Sequence, residues 1–218
     1  MILSDEAEAK AWFASLPECD SVAFERLEML ASMLREENQR QNLVSVASLG
    51  HLWVRHIADS AQLLRHVPRE TASPWLDLGT GAGFPGLVIA ALRPDMRIVM
   101  VESRSRRNEW LESTRAALSL ASAEVFPGRI EALPTAPFRV ISARAFAPLG
   151  HLLDLSARFS TADTTWLLPK GRSAAQELQD LRGWRHMFHV EQSLSDADAG
   201  VIVGTLPSQK VPNKGNKS

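Results

Sequence analysis

Asp77-Leu78-Gly79-Thr80-Gly81-Ala82-Gly83-Phe84-Pro85-Gly86 is the stretch on which the reading of the fold turns. An apolar run, Trp75 to Leu78, leads into it, and Pro85 has the fixed φ that suits the start of a helix. Glycines at 79, 81 and 83 let the backbone bend sharply and approach a ligand where a Cβ would collide. The helix that follows turns its unpaired N–H groups and partial positive charge toward that ligand. Strand, glycine bend and helix in this order are the opening unit of a parallel α/β sheet.

Working outward, short apolar runs alternate with helical stretches from Pro74 onward, which is the pattern of βαβ units. Strands are expected at 75–78, 97–101, 124–126, 139–142 and 165–168, and helices at 86–92, 105–120, 149–159 and 173–181. Two late strands, 185–191 and 201–205, would close the sheet as an antiparallel edge. Before residue 66 the apolar positions fall at helical spacing instead. Phe24, Leu27, Ala31 and Leu34 share one face, as do Leu49, Trp53, Ile57 and Leu64 in a later helix. Ser4, ahead of Asp5 and Glu6, is expected to cap the first helix. The division expected is an N-terminal helical subdomain (1–68), a catalytic domain (69–206) and a disordered basic tail (207–218).

Gly81 to Gly86 also satisfies the G-x-G-x-x-G of nicotinamide enzymes, so the glycines alone do not fix the cofactor. Position does: Asp77 and Gly79 precede Gly81 and make D-x-G-x-G-x-G, the usual loop for S-adenosylmethionine. Glu102 ends the next strand, at the spacing where a carboxylate accepts both hydroxyls of a ribose. The fold class expected is therefore α/β, a Rossmann-like class I S-adenosylmethionine methyltransferase sheet with helices on both faces and an N-terminal helical extension.

Composition narrows the function. A length of 218 residues with 45% hydrophobic content suits one α/β core with an accessory unit. Cys19 stands alone, so neither a disulfide nor a thiolate metal site is expected. No signal-like N-terminus and no apolar run of about 20 residues appears, and a cytoplasmic, membrane-free monomer is expected. A formal net charge of −1 argues against coating nucleic acid by bulk charge, so any RNA contact is local.

The absent residues speak to the methyl acceptor. The chain has no tyrosine, and no Asn-Pro-Pro-aromatic loop follows the fourth strand, which disfavours adenine N6. Cytosine carbon methylation needs a thiolate by the sheet, whereas Cys19 lies among the N-terminal helices. A ring nitrogen such as guanine N7 presents its own lone pair and is compatible with a site that has no evident general base. Arg144, after the fourth strand, lies at the carboxyl end of the sheet, where it can grip a carboxylate, a phosphate or the O6 and N7 edge of a guanine.

Five segments together resemble one known family: Asn42-Leu43-Val44-Ser45-Val46, Val54-Arg55-His56-Ile57-Ala58-Asp59-Ser60, the loop from Asp77 to Gly86, Ser142-Ala143-Arg144-Ala145-Phe146-Ala147, and Pro169-Lys170-Gly171. The family is ribosomal RNA small-subunit methyltransferase G, also called glucose-inhibited division protein B. The resemblance implies a cytoplasmic enzyme that methylates guanine N7 in the decoding-region loop of 16S ribosomal RNA. It implies that Gly79 and Phe84, with Gly81 and Gly83, belong to the cofactor loop, that Ile130 and Glu131 meet the adenine end, and that Arg144 serves the cofactor site. It implies that Arg55, His56 and Lys170, with Arg144, face RNA or the acceptor base. For His56 a hydrogen-bonded core position is an equal alternative. For Arg104, Arg106 and Arg107 a phosphate patch and a merely solvated helix start are equal alternatives. The run Asp198 to Val203 lacks the basic residue the family often has there, which would leave Arg185, His186 or the lysine tail to meet RNA. A small-molecule methyltransferase, a nicotinamide oxidoreductase and a division-linked binding protein are the rival readings.

Overall fold

A computed structural model describes residues 1–207; the tail expectation for 208–218 lies outside them. A seven-stranded sheet in the order β3-β2-β1-β4-β5-β7-β6 forms the centre. Its strands are β1 (Trp75–Leu78), β2 (Ile98–Glu102), β3 (Ala123–Pro127), β4 (Val140–Ala143), β5 (Thr165–Gly171), β6 (His189–Gln192) and β7 (Gly200–Gly204). β1 to β5 are parallel, and β7 inserts antiparallel between β5 and β6. The strand order reverses direction between β1 and β4, and ligands of such sheets bind at the carboxyl ends beside that reversal.

Two layers of apolar side chains cover the sheet with the period of two that strands impose. Trp75, Ile98 and Met100 point to one face, where they join Leu87 and Leu111. Leu76, Leu78, Val99 and Val101 point to the other and join Leu149, Leu152 and Leu153. The first layer carries α5 (Gly86–Leu92) and α6 (Ser105–Ala117); the second carries α7 (Leu149–Ser156) and α8 (Ala174–Asp180). Both-face coverage explains why β1, β2 and β4 are buried at every residue.

The N-terminal helices α1 (Glu6–Phe13), α2 (Ser21–Glu37), α3 (Val46–Leu49) and α4 (Asp59–Ala61) continue the first layer, with Leu27, Leu30, Leu34 and Trp53 in the same apolar cluster as α5. Asp5, not Ser4, caps α1, accepting the Glu8 N–H at 2.8 Å; Ser4 instead donates its hydroxyl to the Glu8 carboxylate at 2.8 Å. The later helix expected to carry Trp53 and Ile57 is not regular. It breaks into α3, a π turn (Trp53–Ala58), α4 and a 3-10 turn (Gln62–His66). The Glu6 carboxylate takes the N–H groups of Trp53 and Val54 at 2.9 and 3.2 Å, satisfying donors that a regular helix would bond internally. The π turn, a feature frequent at functional sites, carries Arg55 and His56. Likewise α6 stops at Ala117 rather than at 120, because Ser119 turns into the left-handed region at φ 54°.

Candidate active site

The glycine bend is fastened from beneath. Asp77, wholly buried at the end of β1, accepts the Gly86 N–H at 2.9 Å and the Ser142 hydroxyl at 2.8 Å, and Ser142 in turn accepts the Trp75 indole N–H at 2.8 Å. Burial pushes the Asp77 carboxyl up, and the hydrogen bonds from Ser142 and Gly86 pull against that rise. Asp77 thus buckles the loop to β4 and α5. Gly79 has φ +62°, and a Cβ there would stand 2.5 Å from the Phe146 ring, so only glycine fits. Gly83 also has positive φ, +99°, so its conformation calls for glycine, and a Cβ there would lie 2.2 Å from a Leu87 methyl group as well.

Above the bend lies a cleft of about 390 Å³ whose walls include Gly79, Glu102, Arg104, Arg107, Ile130, Glu131 and Phe146, together with His151 and Leu155 of α7. Glu102 is only 5% exposed, yet neither carboxylate oxygen is saturated. One accepts the Gly81 N–H at 3.1 Å, the other the Arg104 N–H at 2.9 Å, and Arg107 stands 3.7 Å away. A carboxylate oxygen accepts two hydrogen bonds, so one lone pair on each remains for a pair of neighbouring hydroxyls.

A second cavity, of about 660 Å³, adjoins the first, and Ala145, Phe146 and Ala147 line both. Arg55, His56, Asp59, Arg144 and Lys170 line this second cavity. Arg144 donates to the Arg55 carbonyl at 3.2 Å and to Asp59 Oδ2 at 3.3 Å, and its Nη2 lies 3.1 Å from His56 Nδ1. A guanidinium cannot accept, so His56 Nδ1 is the acceptor and the ring proton sits on Nε2, which is buried without a partner. Burial and then the neighbouring Arg144 and Arg55 charges push the imidazole down to about 3, leaving it neutral. Both Arg144 and His56 rest on the Phe84 ring, at 5.2 and 5.1 Å from its centroid. Asp59 also accepts the Ser195 hydroxyl at 2.6 Å, which binds the loop after β6 to the first residue of α4, directly after the π turn.

The residues singled out from sequence therefore separate into groups. Gly79, Glu102, Ile130 and Glu131 meet in the first cleft; Arg55, His56, Arg144 and Lys170 meet in the second cavity. Phe84 is 2% exposed and forms the floor beneath His56 and Arg144. Lys170 is turned inward, with a side chain 6% exposed, donating to the Ala147 carbonyl and pairing with Glu177 at 2.9 Å. Glu177 also accepts the Leu149 N–H at 2.8 Å. Burial pushes the Glu177 carboxyl up, but Lys170 and Ser173 outweigh it and hold it below the usual range. Asp59, Phe146, His151 and Ser195 also line these cavities and were not singled out as site residues; Asp59 and Phe146 lie within the segments that carry the resemblance, whereas His151 and Ser195 come from stretches that no motif marks. Asp198, which opens the run that holds no basic residue, pairs with Arg172 at 3.1 Å, and neither Arg185 nor His186 lines either cavity. Among the described residues no cluster of His, Cys, Asp or Glu has the arrangement to hold a metal ion, and no helix is long and apolar enough to cross a membrane.

Residues 23–195 match the family described as rRNA small subunit methyltransferase G. This chain belongs to that family. Proteins named ribosomal RNA small subunit methyltransferase G are 55% identical in Novosphingobium aromaticivorans, across 97% of this chain and 93% of the relative, and 56% identical in Erythrobacter litoralis, across 93% and 97%. Two solved structures share the fold of this methyltransferase G chain. The O-methyltransferase TomG from Streptomyces achromogenes, in complex with SAM, superposes with a TM-score of 0.54 at 18% identity, over 90% of this chain and 95% of that one. A putative methyltransferase, yhhF from Escherichia coli, gives 0.53 at 12% identity, over 70% and 87%.

Proposed function

We propose that this methyltransferase G chain transfers the methyl group of S-adenosylmethionine to N7 of a guanine in 16S ribosomal RNA, as naked RNA or within the small subunit. The observation that carries the reading is the shared wall: a ribose-suited cleft at Glu102 and a cation-bearing cavity at Arg144 meet across Ala145, Phe146 and Ala147. Donor and acceptor in a group transfer have to meet across such a boundary.

The residues present fit this cofactor. Glu102 keeps lone pairs for both ribose hydroxyls, at on the order of 1.5 to 3 kcal/mol for each bond to a charged group. Gly79 and Gly81 leave the bend bare of side chains, and Ile130 and Glu131 would frame the adenine. When bound, S-adenosylmethionine supplies an electrophilic methyl group, which guanine N7 can accept with its own lone pair and without loss of a proton. No general base is therefore required of the chain. Arg144 would donate to guanine O6 or to a phosphate, since N7 has to stay free. His56, neutral, adds no second charge beside a base that becomes cationic, and Asp59 balances Arg144. Lys170 and Glu177 would act on the wall, holding the Ala147 carbonyl and the Leu149 N–H, rather than on RNA directly.

The test is incubation with isotopically labelled S-adenosylmethionine and either bare 16S RNA or small subunits that lack the modification, followed by mass mapping. One label on one guanine, cleavable at the alkali-labile N7-methylated site, is the expected result. No label on either RNA substrate, from protein that binds S-adenosylmethionine, would contradict the reading.

A further inference from the structure

A third cavity, of about 420 Å³, continues from the acceptor cavity and shares no lining residue with the cofactor cleft. Ser45, Ser48, Arg55 and Ser195 line both cavities, so the two form one passage. Beyond this junction Ala47 and His51, one helical turn apart, line only the extension. The lining of the extension contains no carboxylate, whereas the acceptor cavity holds Asp59, Glu177 and Asp196. Each of those acids is paired, with Arg144, Lys170 and Arg55 respectively. Arg55 spends one N–H on Asp196, at 3.0 Å, and half of its side chain is exposed. Four of its five N–H donors carry no such bond to a carboxylate.

A nucleotide inside a polymer enters a pocket with chain attached on both sides. The strand has to leave the pocket along a path that tolerates phosphates, and the cofactor cleft blocks one direction. Beside the apolar Leu3, Ala47 and Val54, the lining carries serine hydroxyls, an imidazole and a guanidinium with no acid among them, the kind of polar lining that ribose and phosphate accept. We propose that the extension between Ser45 and His51 binds the sugar-phosphate backbone of the RNA strand adjoining the acceptor guanine, with Arg55 at the junction. At the far end Ser4 gives its N–H and hydroxyl to Glu8, and that carboxylate sets the limit of the path. This inference rests on the RNA-methylating function proposed above.

Ala47→Glu and His51→Glu place a carboxylate in the extension without touching the acceptor cavity, the cofactor cleft or the core, since both positions are exposed. Each should raise KM for small-subunit RNA about tenfold at low salt, and the effect should shrink as salt rises, while cofactor affinity stays as in the wild type. Ala47→Lys, of similar bulk and opposite charge, should lower KM or leave it level. Acid variants with KM within about twofold of the wild type, measured against a wild type that does methylate the RNA, overturn the strand path alone. A wild type that binds S-adenosylmethionine yet methylates no RNA overturns the functional reading and the path with it.

Discussion

The cofactor cleft and the acceptor cavity share a wall but are built in opposite ways. The cleft comes mainly from consecutive segments: the bend after β1, the end of β2, the turn after β3. Its key contacts are backbone N–H groups on a single carboxylate. The cavity is assembled from a π turn near residue 55, the ends of β4 and β5, and the loop after β6, held together by side chains. A site made of local backbone keeps its shape when one side chain is lost, whereas one made of remote side chains depends on each of them.

That difference makes Arg144 the most damaging single loss. Arg144→Ala removes the bonds to Arg55, Asp59 and His56 at once, and turnover should fall roughly a hundredfold, as for loss of a preorganised donor. Because Arg144 lines the acceptor cavity and not the cofactor cleft, the cofactor dissociation constant should move little. A hundredfold weaker cofactor affinity instead would place this arginine on the other side of Phe146.

Glu102→Ala strikes the cleft. Cofactor affinity should weaken by about tenfold or more, since about 1.4 kcal/mol corresponds to a factor of ten. Turnover at saturating cofactor should be largely kept, so calorimetry and steady-state rates together separate this variant from Arg144→Ala.

His56 sharpens the comparison through pH. Its folded value, about 3, lies below the ordinary 6.5, so between these limits the unfolded chain binds the extra proton. Stability should drop as pH falls through that window, by up to about 1.4 kcal/mol per unit for one group. His56→Gln should flatten the slope of melting temperature between pH 6 and 4, within the effects of other groups, and an unchanged slope would show that His56 titrates in the folded state.

The smallest effect belongs to the rim. Arg104 and Arg107 line the cofactor cleft, and Arg106 donates to the Arg40 carbonyl at 3.4 Å. If phosphates meet these side chains, replacing each should lower the salt slope of RNA binding by about one unit or less. An identical slope assigns them to solvent.

The same contrast explains what the sequence revealed. The bend at Asp77 to Gly86, the acid at Glu102 and the alternation of strands and helices are local, and the sheet has them where spacing put them, with most strand ends displaced by a residue or none, although β5 runs three residues past its expected end and β6 starts four residues after its expected start. The closure of the sheet by two late antiparallel strands was also expected, and β7 and β6 provide it. The π turn was not, because its cause, Glu6 on the N–H groups of Trp53 and Val54, lies 47 residues away in sequence. Nor did any pattern show that Lys170 would fold back onto Ala147, or that Asp59 and Ser195 would meet. Such contacts exist only once the sheet has brought its carboxyl ends together.

Calorimetric titration of S-adenosylmethionine into the wild type and into Glu102→Ala tests the central assignment most directly. The account predicts one binding event per chain for the wild type and an affinity at least about tenfold weaker for the variant. Equal affinities, or no heat with S-adenosylmethionine alongside a clear response to a nicotinamide dinucleotide, would contradict it.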